Sequence, residues 1–311
     1  MKIGCLQFAP RVGEVADNIA RADAVLSRAK PEDVAGLDLL VLPEMAFSGY
    51  NFKSLQHILP YLEPTAGGVS GRWARDAARR YGCAVAVGYP EMAGQSGSDP
   101  ECYNSLVVVK PDGDVVAHYR KSFLYYTDAT WAREGQGFYG GTLDNHQVAM
   151  GICMDIKFMA PWNAYEFAFH ILGVRADLVI LSTAWQVLDE RTAFLSKPEL
   201  PDMGTISYWV RRLEPVVSAG RSEETIVVFA NRCGVEEEVT YAGSSTVLGI
   251  KDGVVSVYGC LGRGTEELLI VDTDKPPFGT FVKSGEEEPA DEEPGVPVPV
   301  PDPGPRGGAI Q

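Results

Sequence analysis

The chain has 311 residues, 45% hydrophobic and 22% charged, which is enough apolar side chain for a large core and rules out global disorder. Its 42 acids against 27 bases leave a net charge of −15, and a surface that negative lacks the clustered cations that nucleic acid requires. No apolar run is long enough to cross a bilayer, so neither nucleic acid nor membrane is expected as a partner.

Taken in chain order, short apolar runs predict strands at 2–8, 37–42, 83–88, 105–110 and 115–119. Further strands are predicted at 146–153, 177–182, 225–230, 244–249, 254–258 and 267–271. Several are almost unbroken Val, Leu and Ile, as expected where both faces of a sheet are covered. Helical spacing with charged outer positions appears at 15–30, 70–81, 162–172 and 205–218, with Pro161 suited to a first helical turn. Two hairpins are predicted, 107–119 turning at Asp112-Gly113 and 247–258 turning at Asp252-Gly253. The pattern is α/β with mixed sheets, and no linker divides residues 1–283, which are expected to form one domain.

Residues 284–311 differ. Seven acids against Arg306 give this segment −6 and leave −9 on the body. Prolines alternate with valines from Pro297 to Pro301, so a disordered acidic tail is expected, with a polyproline ligand as the lesser reading. The six cysteines include no C-x-x-C pair and are too few for a disulfide scaffold, which points to a reducing compartment, cytoplasm or nucleus. No signal-peptide pattern opens the chain. Cys5, Cys83 and Cys260 lie in apolar stretches and read as buried structural thiols. The histidines (His57, His118, His146, His170) show no metal spacing and no dinucleotide or phosphate-loop fingerprint is present, so neither cofactor nor metal is expected.

Chemistry is suggested where three strands run out. Glu44 closes Val-Leu-Pro-Glu, Lys121 follows the strand at 115–119, and Cys153 follows the apolar run at 148–152. The carboxyl ends of strands line the crevice of open α/β sheets, so a carboxylate, an ammonium and a thiol can converge there. A free thiol, with a pKa near ~8.5, needs activation, and Glu44 can take its proton and return it to a departing amine. Lys121, with the backbone N–H of Met154, can stabilise the oxyanion. Read singly, each residue is more often a core thiol, a loop acid or a surface cation.

Val-Leu-Pro-Glu-Met-Ala-Phe-Ser-Gly-Tyr (41–50), Tyr-Arg-Lys-Ser-Phe-Leu (119–124) and Met-Gly-Ile-Cys-Met-Asp-Ile (150–156) resemble the three signature segments of the nitrilase, or carbon–nitrogen hydrolase, superfamily. The resemblance implies a four-layer αββα sandwich, with Glu44 as base, Lys121 as stabiliser and Cys153 as nucleophile of an amide hydrolysis through a thioester. It also implies a second glutamate near the thiol, and Glu134 stands in the expected stretch. The extended matches at 47–54, 121–135 and 153–162 resemble fungal protein N-terminal amidases, which convert N-terminal Asn or Gln to Asp or Glu. That resemblance implies peptide N-termini as substrates and a product read by N-terminal degradation. The stretch at 157–159 is shorter than that family's. Asp155 is the first candidate to meet the substrate α-ammonium, with Asp128 as a further acid, although Asp155 reads equally well as an internal hydrogen-bond acceptor. Tyr50, Trp185 and Asn231 are candidate pocket residues. Two other readings stay open: a small-molecule amidase or nitrilase of the same superfamily, and an inactive scaffold with a recruiting tail. Oligomeric state is open between monomer and homodimer.

Overall fold

The computed structural model describes residues 1–94, 101–157, 164–187, 189 and 191–281. Pro161, most of the short stretch at 157–159 and the segment 284–311 lie outside the described residues, as do the expectations that rest on them.

Two large mixed sheets carry the fold. The first contains β1 (Lys2–Gln7), β2 (Leu39–Val41), β3 (Glu63–Pro64), β4 (Ala84–Ala93), β5 (Glu101–Val109), β6 (Val115–Arg120) and β16 (Glu267–Asp272). Its spatial order is β16-β1-β2-β4-β5-β6, with β3 paired to β4. The second contains β7 (Tyr139–Leu143), β8 (His146–Ile152), β9 (Leu178–Thr183), β11 (Thr225–Asn231), β14 (Thr246–Lys251), β15 (Val254–Cys260) and β17 (Gly279–Phe281). They are ordered β17-β15-β14-β11-β9-β8-β7, and β10 (Gln186–Val187), β12 (Val235–Glu236) and β13 (Val239–Tyr241) form a small third sheet. Along the main path of each large sheet the central strands are parallel and the outer ones antiparallel, while β3 pairs with β4 in parallel.

Strand periodicity explains the layering. Along β1 and β2, Ile3, Cys5, Leu39 and Val41 point into a core shared with Val148, Met150, Ile152, Leu178, Ile180 and Val228 of the second sheet. The alternate residues Leu6, Leu40 and Leu42 face the other way, onto the helices Val15–Ser27 and Val69–Tyr81. The second sheet repeats the arrangement: Val179, Leu181, Val227 and Phe229 meet helices Glu166–Gly173, Met203–Arg212 and Glu214–Ser218. The order of layers is therefore helix, sheet, sheet, helix. This is the αββα sandwich.

Both D-G hairpins form, β5–β6 and β14–β15. The helix expected over 205–218 is instead two, broken between Arg212 and Glu214. Pro215 explains the break, since it has no N–H to continue the ladder and sits well in a first turn. Among the described residues no helix is long and apolar enough to cross a membrane.

Candidate active site

The three strand ends meet. Lys121 directly follows β6 and Cys153 directly follows β8, while Glu44 lies three residues beyond β2. Gly88 of β4 permits this approach, because a Cβ there would stand 2.8 Å from the Glu44 Cα and 2.9 Å from the Pro43 oxygen. Cys153 has a φ of 44°, a left-handed conformation unusual for a non-glycine residue, which turns the chain sharply out of the strand.

The Lys121 Nζ lies 2.7 Å from Glu44 Oε1 and 2.6 Å from Asp128 Oδ2, and all three side chains are fully buried. Asn104 of β5 joins the carboxylates, donating from Nδ2 to Glu44 Oε1 at 2.7 Å and to Asp128 Oδ1 at 3.0 Å. Tyr50 donates its hydroxyl to Asp128 Oδ2 at 3.2 Å. Glu44 Oε2 has no hydrogen-bond partner among the described residues. That oxygen is free to accept a proton.

Burial and charge set the protonation states. Burial alone would lower Lys121, but Asp128 and Glu44 together hold it above the ordinary lysine value, so it stays cationic. Burial raises Glu44, partly offset by Lys121. Burial and the Glu44 charge push the Cys153 thiol well up, against the opposing pull of Lys121 and the Ala184 N–H. The resting thiol is neutral, and its deprotonation must accompany attack.

Cys153 opens onto a cavity of about 340 Å³ lined by Tyr50, Tyr125, Tyr126, Met154, Trp185, Gln186 and Tyr208. Charged groups on the same walls are Lys157, Asp189, Asp202 and Arg211. Trp185 is braced by Tyr208 and Trp209, at 5.3 and 5.9 Å between ring centroids.

Four sequence expectations change. Glu134 is exposed and stands outside the cluster, because neighbouring backbone bonds strap its loop to the first sheet: Arg133 N to Cys102 O and Gly135 N to Lys121 O, each 2.8 Å. The second carboxylate beside Lys121 comes from Asp128, in the short helix Tyr126–Ala129. Asp128 was expected to bind substrate, and it is instead committed to Lys121, Asn104, Tyr50 and the Tyr125 N–H. Asp155 is buried and does not line the cavity, since four donors occupy its carboxylate. Asn231 is buried behind the wall, where its Oδ1 accepts from Thr183 Oγ1 at 2.9 Å and from the Trp185 N–H at 2.8 Å. Tyr50, Met154 and Trp185 do line the cavity. Sequence reasoning missed Asn104, Tyr125, Tyr208 and Asp202, and for Asp202 the signal was there, a helix-capping aspartate just before the helix at Met203.

The carbon-nitrogen hydrolase family matches residues 2–166. The chain belongs to this family. It is therefore a hydrolase of carbon–nitrogen bonds other than peptide bonds. It is 32% identical to a protein N-terminal amidase of Schizosaccharomyces pombe, over 88% of this chain and the whole of that protein. It is 31% identical to the corresponding Saccharomyces cerevisiae protein, over 60% of this chain and 45% of that one. A solved N-terminal amidase with an Asn-Glu-Ala peptide aligns with a TM-score of 0.77 at 23% identity, covering 87% of this chain and 96% of the other. That likeness establishes the fold.

Proposed function

We propose that this hydrolase deamidates N-terminal Asn or Gln of peptides and proteins, releasing ammonia and leaving Asp or Glu. The observation that carries the reading is a small cavity lined by both the Cys153 thiol and the Asp202 carboxylate. Asp202, on the cavity wall, accepts the Thr205 N–H through Oδ2 at 3.3 Å. An N-terminal Asn or Gln presents both a side-chain amide and an α-ammonium, and this cavity offers a thiol for the first and a carboxylate for the second. The extended likeness to the fungal amidases supports the same assignment.

In this reading the Cys153 sulfur attacks the side-chain amide carbon while Glu44 Oε2 takes the thiol proton. The tetrahedral oxyanion forms against Lys121 Nζ and nearby backbone N–H groups. Glu44 then gives its proton to the departing nitrogen, and ammonia leaves a thioester on Cys153. Water, deprotonated by Glu44, attacks the thioester and regenerates the thiol. Asp128 keeps Lys121 charged and in place. Such an enzyme would work on intracellular protein N-termini, in cytoplasm or nucleus, and its acidic product would be open to N-terminal degradation.

The test is a peptide series beginning with Asn, Gln, acetyl-Asn or Ala-Asn, read by mass spectrometry. Conversion of only the first two supports the assignment. Equal conversion of acetyl-Asn peptides, or faster turnover of simple aliphatic amides, would instead assign a small-molecule amidase.

A further inference from the structure

The catalytic groups belong to different sheets. Glu44 and Lys121 extend from the first, Cys153 from the second, and their separation depends on how the two sheets are registered. An apolar interface is indifferent to small slips along its surface, so a directional bond between the sheets is needed to fix the register.

One buried side chain supplies that bond for the lysine and the thiol. Asp155 Oδ1 accepts the N–H groups of Ser122 at 3.1 Å and Phe123 at 2.8 Å, the two residues directly after Lys121. Oδ2 accepts the Tyr119 hydroxyl at 2.8 Å and the N–H of Ile152 at 2.7 Å, directly before Cys153. A single carboxylate thus binds the end of β6 to the turn after β8. All four bonds are buried or part-buried, and Asp155 itself has no solvent exposure. On the other side, Ser182 Oγ of β9 donates to Leu42 O at 2.9 Å, two residues before Glu44. The thiol turn is also strained, with Cys153 at positive φ, and such a conformation persists only when its surroundings hold it.

We infer that Asp155 is a positioning residue, a pin between the two sheets that sets the distance from the Lys121 ammonium to the Cys153 sulfur. It never meets substrate. Its acceptor capacity matters more than its charge alone: a carboxylate offers two oxygens to two pairs of donors, whereas an amide must turn an NH₂ toward one pair.

The experiment uses the full chain carrying Asp155→Asn or Tyr119→Phe. The second variant is the milder, removing only the hydroxyl that Asp155 accepts, and it decides the matter should the first fail to fold. Two readouts are needed. Steady-state kinetics on an Asn-Glu-Ala peptide and on a simple aliphatic amide should show kcat lower by about 10²-fold for Asp155→Asn and about 10-fold for Tyr119→Phe, since a misplacement near 1 Å costs about that much. KM should stay within about twofold on both substrates. The rate of Cys153 alkylation by iodoacetamide, followed against pH by peptide mapping, should shift toward higher pH as Lys121 moves away from the sulfur. A general loss of stability would not move that profile in the folded fraction. Unchanged kcat in folded Tyr119→Phe, a loss confined to KM for the peptide, or an unshifted alkylation profile would each overturn the inference. If neither variant nor wild type deamidated N-terminal Asn, the substrate reading would fail, while the alkylation profile would still test the pin.

Discussion

Replacing Glu236 by Leu should destabilise the protein far more than an average buried substitution. Glu236 is 4% exposed, and its carboxylate accepts from the buried Arg232 guanidinium, the Tyr241 hydroxyl at 2.6 Å, and the N–H groups of Tyr50 and Asn51 at 3.2 and 3.0 Å. Arg232 is fully buried and already has two nitrogens, Nε and Nη1, without partners among the described residues. Its remaining support is the Pro10 carbonyl at 2.7 Å and the face of Tyr241 at 4.4 Å. Removing the only carboxylate bonded to it among the described residues strands a buried cation, which costs about 3–5 kcal/mol. The three neutral donors add to that cost, about 1 kcal/mol or more for each one that water cannot reach. Out of a total stability of about 5–15 kcal/mol this is a large share. It corresponds to a fall in Tm of about 10 °C or more at about 2–4 °C per kcal/mol. Urea and thermal unfolding of Glu236→Leu, Arg232→Met and the double variant supply the measurement. The double variant should lose much less than the sum of the singles, because it leaves no charge unpaired. Activity should fall with Glu236→Leu beyond the unfolded fraction, since the same carboxylate holds the loop that brings Tyr50 to Asp128. A loss under about 1 kcal/mol, or strict additivity in the double variant, would refute the reasoning.

Three further outcomes are expected. Asp128→Asn should lower kcat by about 10²-fold, the scale of losing one oriented electrostatic group at the reacting centre, while Glu134→Gln should stay within about twofold of wild type in the same assay; the reverse ranking would return the second carboxylate to Glu134. Asp202→Asn should raise KM about 10-fold for Asn-Glu-Ala and leave it unchanged for an amide without an α-ammonium, and equal shifts on both would remove Asp202 from substrate recognition. The pH dependence follows from Asp155, whose pKa is raised by burial from 3.8 to about 6, against the opposing effects of the Ile152 and Phe123 N–H groups, Lys121 and the Tyr119 hydroxyl. The folded state then holds the proton more tightly than the unfolded one, so this group's contribution to stability is full below 3.8 and lost as pH rises through about 6. The ionised form is the one that accepts all four bonds, so kcat/KM should fall as pH drops below about 6 while stability from this group rises. A pH–rate profile flat across that region would count against it.

Much of the fold was legible because its signals are local. The apolar runs at 2–8 and 146–153 could be seen as strands, the D-G turns closed both predicted hairpins, and residues at strand ends could be identified by where the runs stopped. Glu44, Lys121 and Cys153 were accessible for that reason. Asp128 and Asp155 were misassigned for a common cause. What a buried carboxylate does depends on which donors reach it, and those donors lie far away in sequence: Asn104 and Tyr50 around Asp128, Tyr119 and Ser122 around Asp155. Nothing in Trp-Ala-Arg-Glu-Gly announces that the backbone on either side of Glu134 is bonded down and its side chain turned out. The family resemblance placed the second acid within about six positions, and only tertiary contacts could choose between candidates. Arg232 and Glu236, two charges four apart, are interior in the fold, and no local pattern in the sequence marks them as a pair.

The shared core between the two sheets has a kinetic side. The central strands β1, β2, β8, β9 and β11 are covered on both faces, and their amides should exchange with solvent deuterium only through global opening. Lys121 and Cys153 are attached within one residue of a strand end, and Glu44 within three. Glu44 and Cys153 thus follow strands, β2 and β8, that should open last, Lys121 reaches Glu44 from the end of the edge strand β6, and the exposed Tyr126 and Met203 should open more readily. Substrate entry and exit can therefore draw on local fluctuations at the mouth without loosening the geometry at the floor.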